Sequence, residues 1–194
     1  MSINRVCVYC ASSRQCDQVY HDAASRFGSI LARNKITLVY GGGKSGSMGA
    51  LADGALAEGG RVVGVLPRFM DDVEWGHTRL SELILVNDMH ERKRLMIKEV
   101  DAVIAMAGGC GTWEELFEAM SWKRLGLYAG PIVIVNTQDY YAPMLEMLDR
   151  SIEYRFMDKR HRKMWMVVRE PEQVLEAIAN SPPWSAQNRS FAAL

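Results

Sequence analysis

The eleven residues AMAGGCGTWEE, Ala105 to Glu115, set three glycines within four positions just ahead of two carboxylates. Glycines so spaced form either an ordinary tight turn or a backbone cradle for an anion. In the second case, Glu114 or Glu115 stands ready to act on the molecule that carries the anion. Position alone does not rank the two glutamates. Both are expected in the first turn of the following helix, where acidic residues complement its dipole. Thr112 supplies a hydroxyl where an N-cap or first-turn residue belongs.

A second glycine-rich stretch, VYGGGKSGSMG from Val39 to Gly49, follows a strand-like run and opens another helix. Its glycines permit close backbone approach by a ligand. It is not a Walker loop, because Lys44 does not occupy the required GK[ST] position. By letter, Gly41, Gly43 and Gly46 fit the dinucleotide pattern GxGxxG. The acidic residue expected about twenty positions on is replaced by Pro67 and Arg68. Arg68 would suit a 2′-phosphate, so an NADP-dependent oxidoreductase is one reading. A turn that merely lets a helix pack on a sheet is another. A third segment, NDMHERKRLM from Asn87 to Met96, reads either as a solvated charged face or as a ligand-binding helix. Arg92 and Met96 share a face there, and Arg92 could reach a ligand held on the glycine turn.

The elements that must position these residues are legible in the apolar pattern. Val- and Ile-rich runs recur as RVCVYCAS, ITLVY, RVVGVLP, LILVND, DAVIAMAG, PIVIVNT and WMVV. Near-continuous runs of this kind suit strands buried on both faces of a parallel sheet. Between them lie helical stretches, including Tyr20–Ala23–Ala24–Phe27–Ile30–Leu31 and Trp113–Leu116–Phe117–Met120. Strand and helix alternate, which predicts an α/β, single-domain, Rossmann-like doubly wound parallel sheet with helices on both faces. A longer helix is expected from Tyr140 to Phe156, and a final one in PEQVLEAIAN. The expected division is one nucleotide-binding domain over residues 1–180 and an irregular tail over 181–194, frayed or docked on a neighbouring subunit. In such sheets ligands sit beyond the carboxyl ends of the strands, where the glycine segments fall.

Charge and cysteine usage narrow the classes further. Lys plus Arg and Asp plus Glu number 23 each, so no long-range field marks nucleic acid or an anionic membrane as a partner. No apolar stretch reaches the length of a membrane span, and MSINRVCVYC lacks a secretory h-region. A cytoplasmic protein is expected. Cys7 and Cys10 form a CxxC, but on a strand and without a second matched pair, so buried reduced thiols are expected and no metal site.

Taken together, AGGCGTWEE (Ala107–Glu115), GGGKSGSMG (Gly41–Gly49) and MHERK (Met89–Lys93) resemble the signatures of the cytokinin riboside 5′-monophosphate phosphoribohydrolases, the Lonely Guy or LOG family. The resemblance runs from about residue 5 to residue 157, through WKRLGLYAGPIVIVNTQDYY, in matching order and spacing. It implies a hydrolase that cleaves the N-glycosidic bond of an adenine or N6-modified adenine nucleoside 5′-monophosphate, giving free base and ribose 5-phosphate. It implies Glu115 and Arg92 as the catalytic pair, and so ranks Glu115 over Glu114. Gly108, Gly109, Gly111 and Thr112 are implied as the phosphate seat. Gly42, Gly43, Gly46, Ser12, Ser13, Met89 and Lys93 are implied around the ribose-phosphate pocket. A homodimer with shared active sites and no cofactor is implied as well. Three positions depart from the pattern: Ala107 stands for Pro, Ser47 for Leu and Arg124 for Gln. Of these, Arg124 is expected to matter most, at the base pocket or a subunit contact. The rival reading is a non-catalytic nucleotide or molybdenum-cofactor-like carrier on the same fold, which would not need the Arg92–Glu115 pair.

Overall fold

A computed structural model describes residues 3–73 and 75–192. Its centre is one seven-stranded sheet, every pair parallel, in the order β4-β3-β2-β1-β5-β6-β7. In chain order the elements are β1 (Arg5–Tyr9), α1 (Gln18–Arg33), β2 (Thr37–Tyr40), α2 (Gly46–Ala57), β3 (Val62–Pro67), α3 (Arg68–Asp71) and β4 (Glu82–Val86). They continue as α4 (Met89–Ile97), β5 (Ala102–Ala105), α5 (Cys110–Arg124), β6 (Ile132–Val135), α6 (Ala142–Glu153), β7 (Trp165–Val168) and α7 (Val174–Ala179). All seven apolar runs are strands, and the doubly wound reading holds. Strand order reverses at β1, between β2 and β5, so the crevice at the carboxyl ends opens there.

Alternation along each strand feeds two cores. Val6 and Val8 point into one with Phe27, Leu31, Leu51 and Val174; Cys7 and Tyr9 point into the other with Met96, Leu116, Tyr141 and Leu148. Cys7 and Cys10 therefore enter opposite cores, and burial pushes both thiols up.

Helices α1 and α2 meet backbone to backbone. A Cβ on Gly28 would lie 2.0 Å from the Leu51 carbonyl oxygen, and one on Gly54 would lie 2.2 Å from that of Ser25. The Ser29 hydroxyl donates to the Gly54 carbonyl at 3.1 Å. Only glycine permits that approach.

Several expectations change. The helix expected from Tyr140 to Phe156 is shorter: α6 begins only after a 3-10 turn, at Ala142. Of the four residues that helical spacing groups on α5, Trp113 and Phe117 are each 42% exposed, whereas Leu116 and Met120 are buried. Over its described residues, 181–192, the tail is ordered against the domain. It forms a 3-10 turn at Ala186–Phe191, buries Phe191, and packs on its own chain. There the Trp184 Nε1 donates to the Lys123 carbonyl at 2.8 Å, and rings of Trp184 and Phe191 flank His161. Arg124, expected at the base pocket or a subunit contact, bonds the Ala192 carbonyl of its own tail at the C-terminal end of α5.

Candidate active site

Three loops at the sheet's switch point are tied by backbone bonds. The Ala11 N–H donates to the Ala107 carbonyl at 3.2 Å, and the Met48 N–H donates to the Ala11 carbonyl at 2.9 Å. These fix the ends of β1, β2 and β5 around a cavity of about 630 Å³. One part of its wall is polar, with Ser12, Ser13, Arg14, Lys44 and Ser45. Leu66, Met70, Met48, Met89 and Trp75 form an apolar part.

Arg92 and Glu115 both line the cavity, yet are only 6% and 4% exposed. Arg92 is carried on α4, whose N-cap Asp88 accepts from the Glu91 N–H at 2.8 Å. Its guanidinium is held on several sides. Nε donates to the Val65 carbonyl and Nη2 to the Gly41 carbonyl, both at 3.2 Å, while Nη1 lies 3.5 Å from Glu115 Oε1. A Cβ at Gly41 would come within 2.1 Å of Nη2, so that glycine makes room for Arg92. Burial raises the Glu115 carboxyl to about 7, with Arg92 pulling the other way and Glu114 adding to the rise. Desolvation outweighs the nearby guanidinium. A carboxyl that changes charge near neutral pH can act as a general base.

The glycine turn faces the same space. Gly109 is the N-cap of α5, and a Cβ there or at Gly111 would meet nothing within 4 Å. The first N–H groups of α5 lack helical acceptors and carry the positive end of its dipole, so the open seat suits an anion. The turn is braced from behind. Tyr140 Oη donates to the Gly108 carbonyl at 2.6 Å, and Tyr141 Oη to the Met106 carbonyl at 2.8 Å.

Of the residues singled out by sequence, Arg92, Glu115, Gly109, Gly111, Thr112, Gly43, Ser12, Ser13 and Met89 line the cavity. Gly42, Gly46, Gly108 and Lys93 do not. Gly108 lies against Thr112, where a Cβ would sit 2.2 Å from its hydroxyl oxygen. Gly46 has positive φ and abuts the Ser12–Ser13 backbone; Gly42, also with positive φ, packs against Leu66. Lys93 is buried, but pairs with Glu114 and with Glu118 at 3.2 Å. The glutamates also lie deeper than expected. The helix starts at Cys110, so Glu114 and Glu115 fall in its second turn. Glu114 therefore serves Lys93, not the helix dipole.

Sequence reasoning did not assign Arg14, Met70, Trp75 or the tyrosine brace to the site. Cations in loops after strands were the available signal for Arg14 and Lys44. Trp75 and Met70 come from a stretch without periodicity, pinned by the Lys44 N–H donating to the Trp75 carbonyl at 3.0 Å.

Comparison with known proteins places the chain among relatives of one family. The family described as "Possible lysine decarboxylase" matches residues 48–178. A cytokinin riboside 5′-monophosphate phosphoribohydrolase of Rhodococcoides fascians is 40% identical over 174 residues, spanning 89% of this chain and 88% of its own. The Arabidopsis thaliana enzyme LOG5, of the same name, is 35% identical over 179 residues, covering 92% of this chain and 78% of its own. Among solved structures, the molybdenum cofactor carrier protein of Chlamydomonas reinhardtii superposes with a TM-score of 0.69 at 20% identity, covering 91% of this chain and 96% of its own. The molybdenum cofactor binding protein of Rippkaea orientalis gives 0.67 at 18%, covering 92% and 97%. At such identities the structural likeness speaks for the fold alone. On the family match and on identities of 35–40% over most of the chain, it belongs to the LOG family of cytokinin riboside 5′-monophosphate phosphoribohydrolases.

Proposed function

We propose that this enzyme hydrolyses the N-glycosidic bond of a purine nucleoside 5′-monophosphate, releasing free base and ribose 5-phosphate. The base is adenine or an N6-modified adenine, a choice that rests on the family resemblance; the relatives are named for a cytokinin riboside 5′-monophosphate. The observation that carries the reading is a buried Arg92–Glu115 pair on the wall of a cavity that also holds an open glycine seat. A carrier would have no use for a desolvated carboxyl poised near neutral pH.

In this reading the 5′-phosphate binds at Gly109–Thr112, against the start of α5, and so fixes the sugar. As the base departs, positive charge builds on the ribose ring. Ionised Glu115 stabilises that charge and orients or deprotonates the attacking water. Arg92 holds the carboxylate in place and favours its charged form. The apolar wall around Trp75, Met70 and Leu66 is the natural seat for the base.

We also assign a homodimer, because Trp113 and Phe117 expose an apolar face on the helix that carries the seat. Light scattering should show a dimer that Phe117→Glu weakens; a monomeric parent chain would refute it. Among the described residues no helix is long and apolar enough to cross a membrane. A cytoplasmic setting suits the four unpaired thiols.

The deciding experiment incubates the protein with adenosine monophosphate and N6-modified analogues and follows free base. Release from at least one is expected, and Glu115→Gln or Arg92→Ala should reduce it about 100-fold or more. No release from any nucleotide would favour the carrier.

A further inference from the structure

Beside the cavity, three side chains from three segments meet around one thiol. Cys16, in the loop after β1, places its Sγ 3.5 Å from Nε2 and 4.0 Å from Nδ1 of His21 in the first turn of α1. The same Nδ1 lies 3.1 Å from the Ser47 hydroxyl on α2. Ser47 is 1% exposed, on a helix whose other buried residues are glycine, alanine and leucine. A buried hydroxyl costs stability unless it is bonded, and the imidazole is its partner. Leucine, which the family pattern carries at this position, would leave the ring unheld. The other thiols differ: Cys7 and Cys10 are buried, and Cys110 is exposed at the start of α5.

We propose that Cys16 is a thiol-modification site for anionic disulfides of low molecular weight, with His21 as proton acceptor and Ser47 positioning its ring. His21 takes the thiol proton, and the Cys16 sulfur attacks one sulfur of the disulfide. A new S–S bond forms to Cys16 while the old one breaks, and the departing thiolate receives the proton from His21. The disulfide is the oxidant: one half is reduced to thiol as Cys16 becomes a mixed disulfide. The preference for an anionic reagent comes from Arg14 and Lys44, which line the adjoining cavity. Among the described residues, neither forms an ion pair with a carboxylate. Arg14 instead donates to the Ser45 hydroxyl at 2.9 Å. Asp17 is the carboxylate beside Cys16 in the loop and opposes them in part. The Cys16 Sγ also lies 3.8 Å from the Ser13 carbonyl, so an adduct would stand behind the cavity wall that Ser13 forms.

The test uses the full chain carrying Cys110→Ser, incubated with oxidised glutathione at neutral pH. Adducts are timed by intact mass and placed by tryptic mapping. Modification at Cys16 is expected, slowed about tenfold by His21→Gln and several-fold by Ser47→Leu. With the neutral disulfide of 2-mercaptoethanol, Arg14→Gln should leave the rate unchanged, while with glutathione it should slow it. Should His21→Gln fail to fold, Ser47→Leu carries the same comparison. Equal rates for the parent and these variants, or an adduct confined to Cys110 in the unmutated chain, would overturn the assignment. The readout is independent of nucleotide hydrolysis.

Discussion

The Arg92 guanidinium and the Glu115 carboxylate stand 3.5 Å apart, buried, on the wall of an open cavity. They come from α4 and α5, and the guanidinium is also tethered to Val65 of β3 and to Gly41 just past β2. The carboxyl is thus held by groups that were themselves fixed before any ligand arrived.

Burial raises Glu115 to about 7, and the proposed chemistry needs its ionised form. The value of kcat/KM for base release should therefore fall as pH drops through about 7. Initial rates from pH 5 to 9 check this. A flat profile would remove Glu115 from its role as base.

The same burial bears on stability. A carboxyl raised from 4.5 to about 7 on folding binds its proton more tightly in the native state. The stabilisation from that proton is complete below about pH 4.5 and is lost as pH rises through about 7. The span corresponds to roughly 3 kcal/mol. Glu115→Gln, which has no proton to lose, should unfold at higher urea than the parent at pH 8 and at similar urea near pH 5. Equal midpoints at pH 8 would show that folding does not raise the Glu115 carboxyl.

Gly109→Ala separates binding from folding. Its φ of −87° is open to alanine, and the new Cβ meets nothing within 4 Å. It would project into the proposed phosphate seat. KM for adenosine monophosphate should rise about tenfold, a cost of about 1.4 kcal/mol, with the melting temperature unchanged. An unaltered KM would place the phosphate elsewhere.

At the other end of α5, His161 ties the tail to the domain. The Asp158 N–H donates to its Nδ1 at 3.0 Å, so that nitrogen is unprotonated. Burial, then the charge of Arg124, lowers its proton affinity, while Asp158 opposes them. The neutral ring is the native form. Its contribution is complete above the ordinary histidine range near 6.5 and is lost as pH falls below it. Urea midpoints should fall between pH 7.5 and 5, and His161→Gln should flatten that dependence. An unchanged slope in the variant would assign it to other groups.

Strands and their parallel packing were legible because Val and Ile runs with helices between them admit few other folds. The pairing of Arg92 with Glu115 rested on the family resemblance, since helix-start reasoning treats two adjacent glutamates alike. It also misplaced them, because α5 begins at Cys110, two residues before the Thr112 that reads as its cap. Trp113 and Phe117 show the limit of periodicity. Helical spacing groups residues on a face without saying what that face meets. Lys93 shows another, since its partners Glu114 and Glu118 lie on a helix distant in sequence.

Helices α1 and α2 touch without side chains between them at Gly28 and Gly54, and each begins where a cavity loop ends. Two walls of the cavity are in effect one casting. Selection for altered substrate range would then recover changes around Gly28 and Gly54, where a slight tilt of one helix resizes the opening without touching a single group that meets the nucleotide.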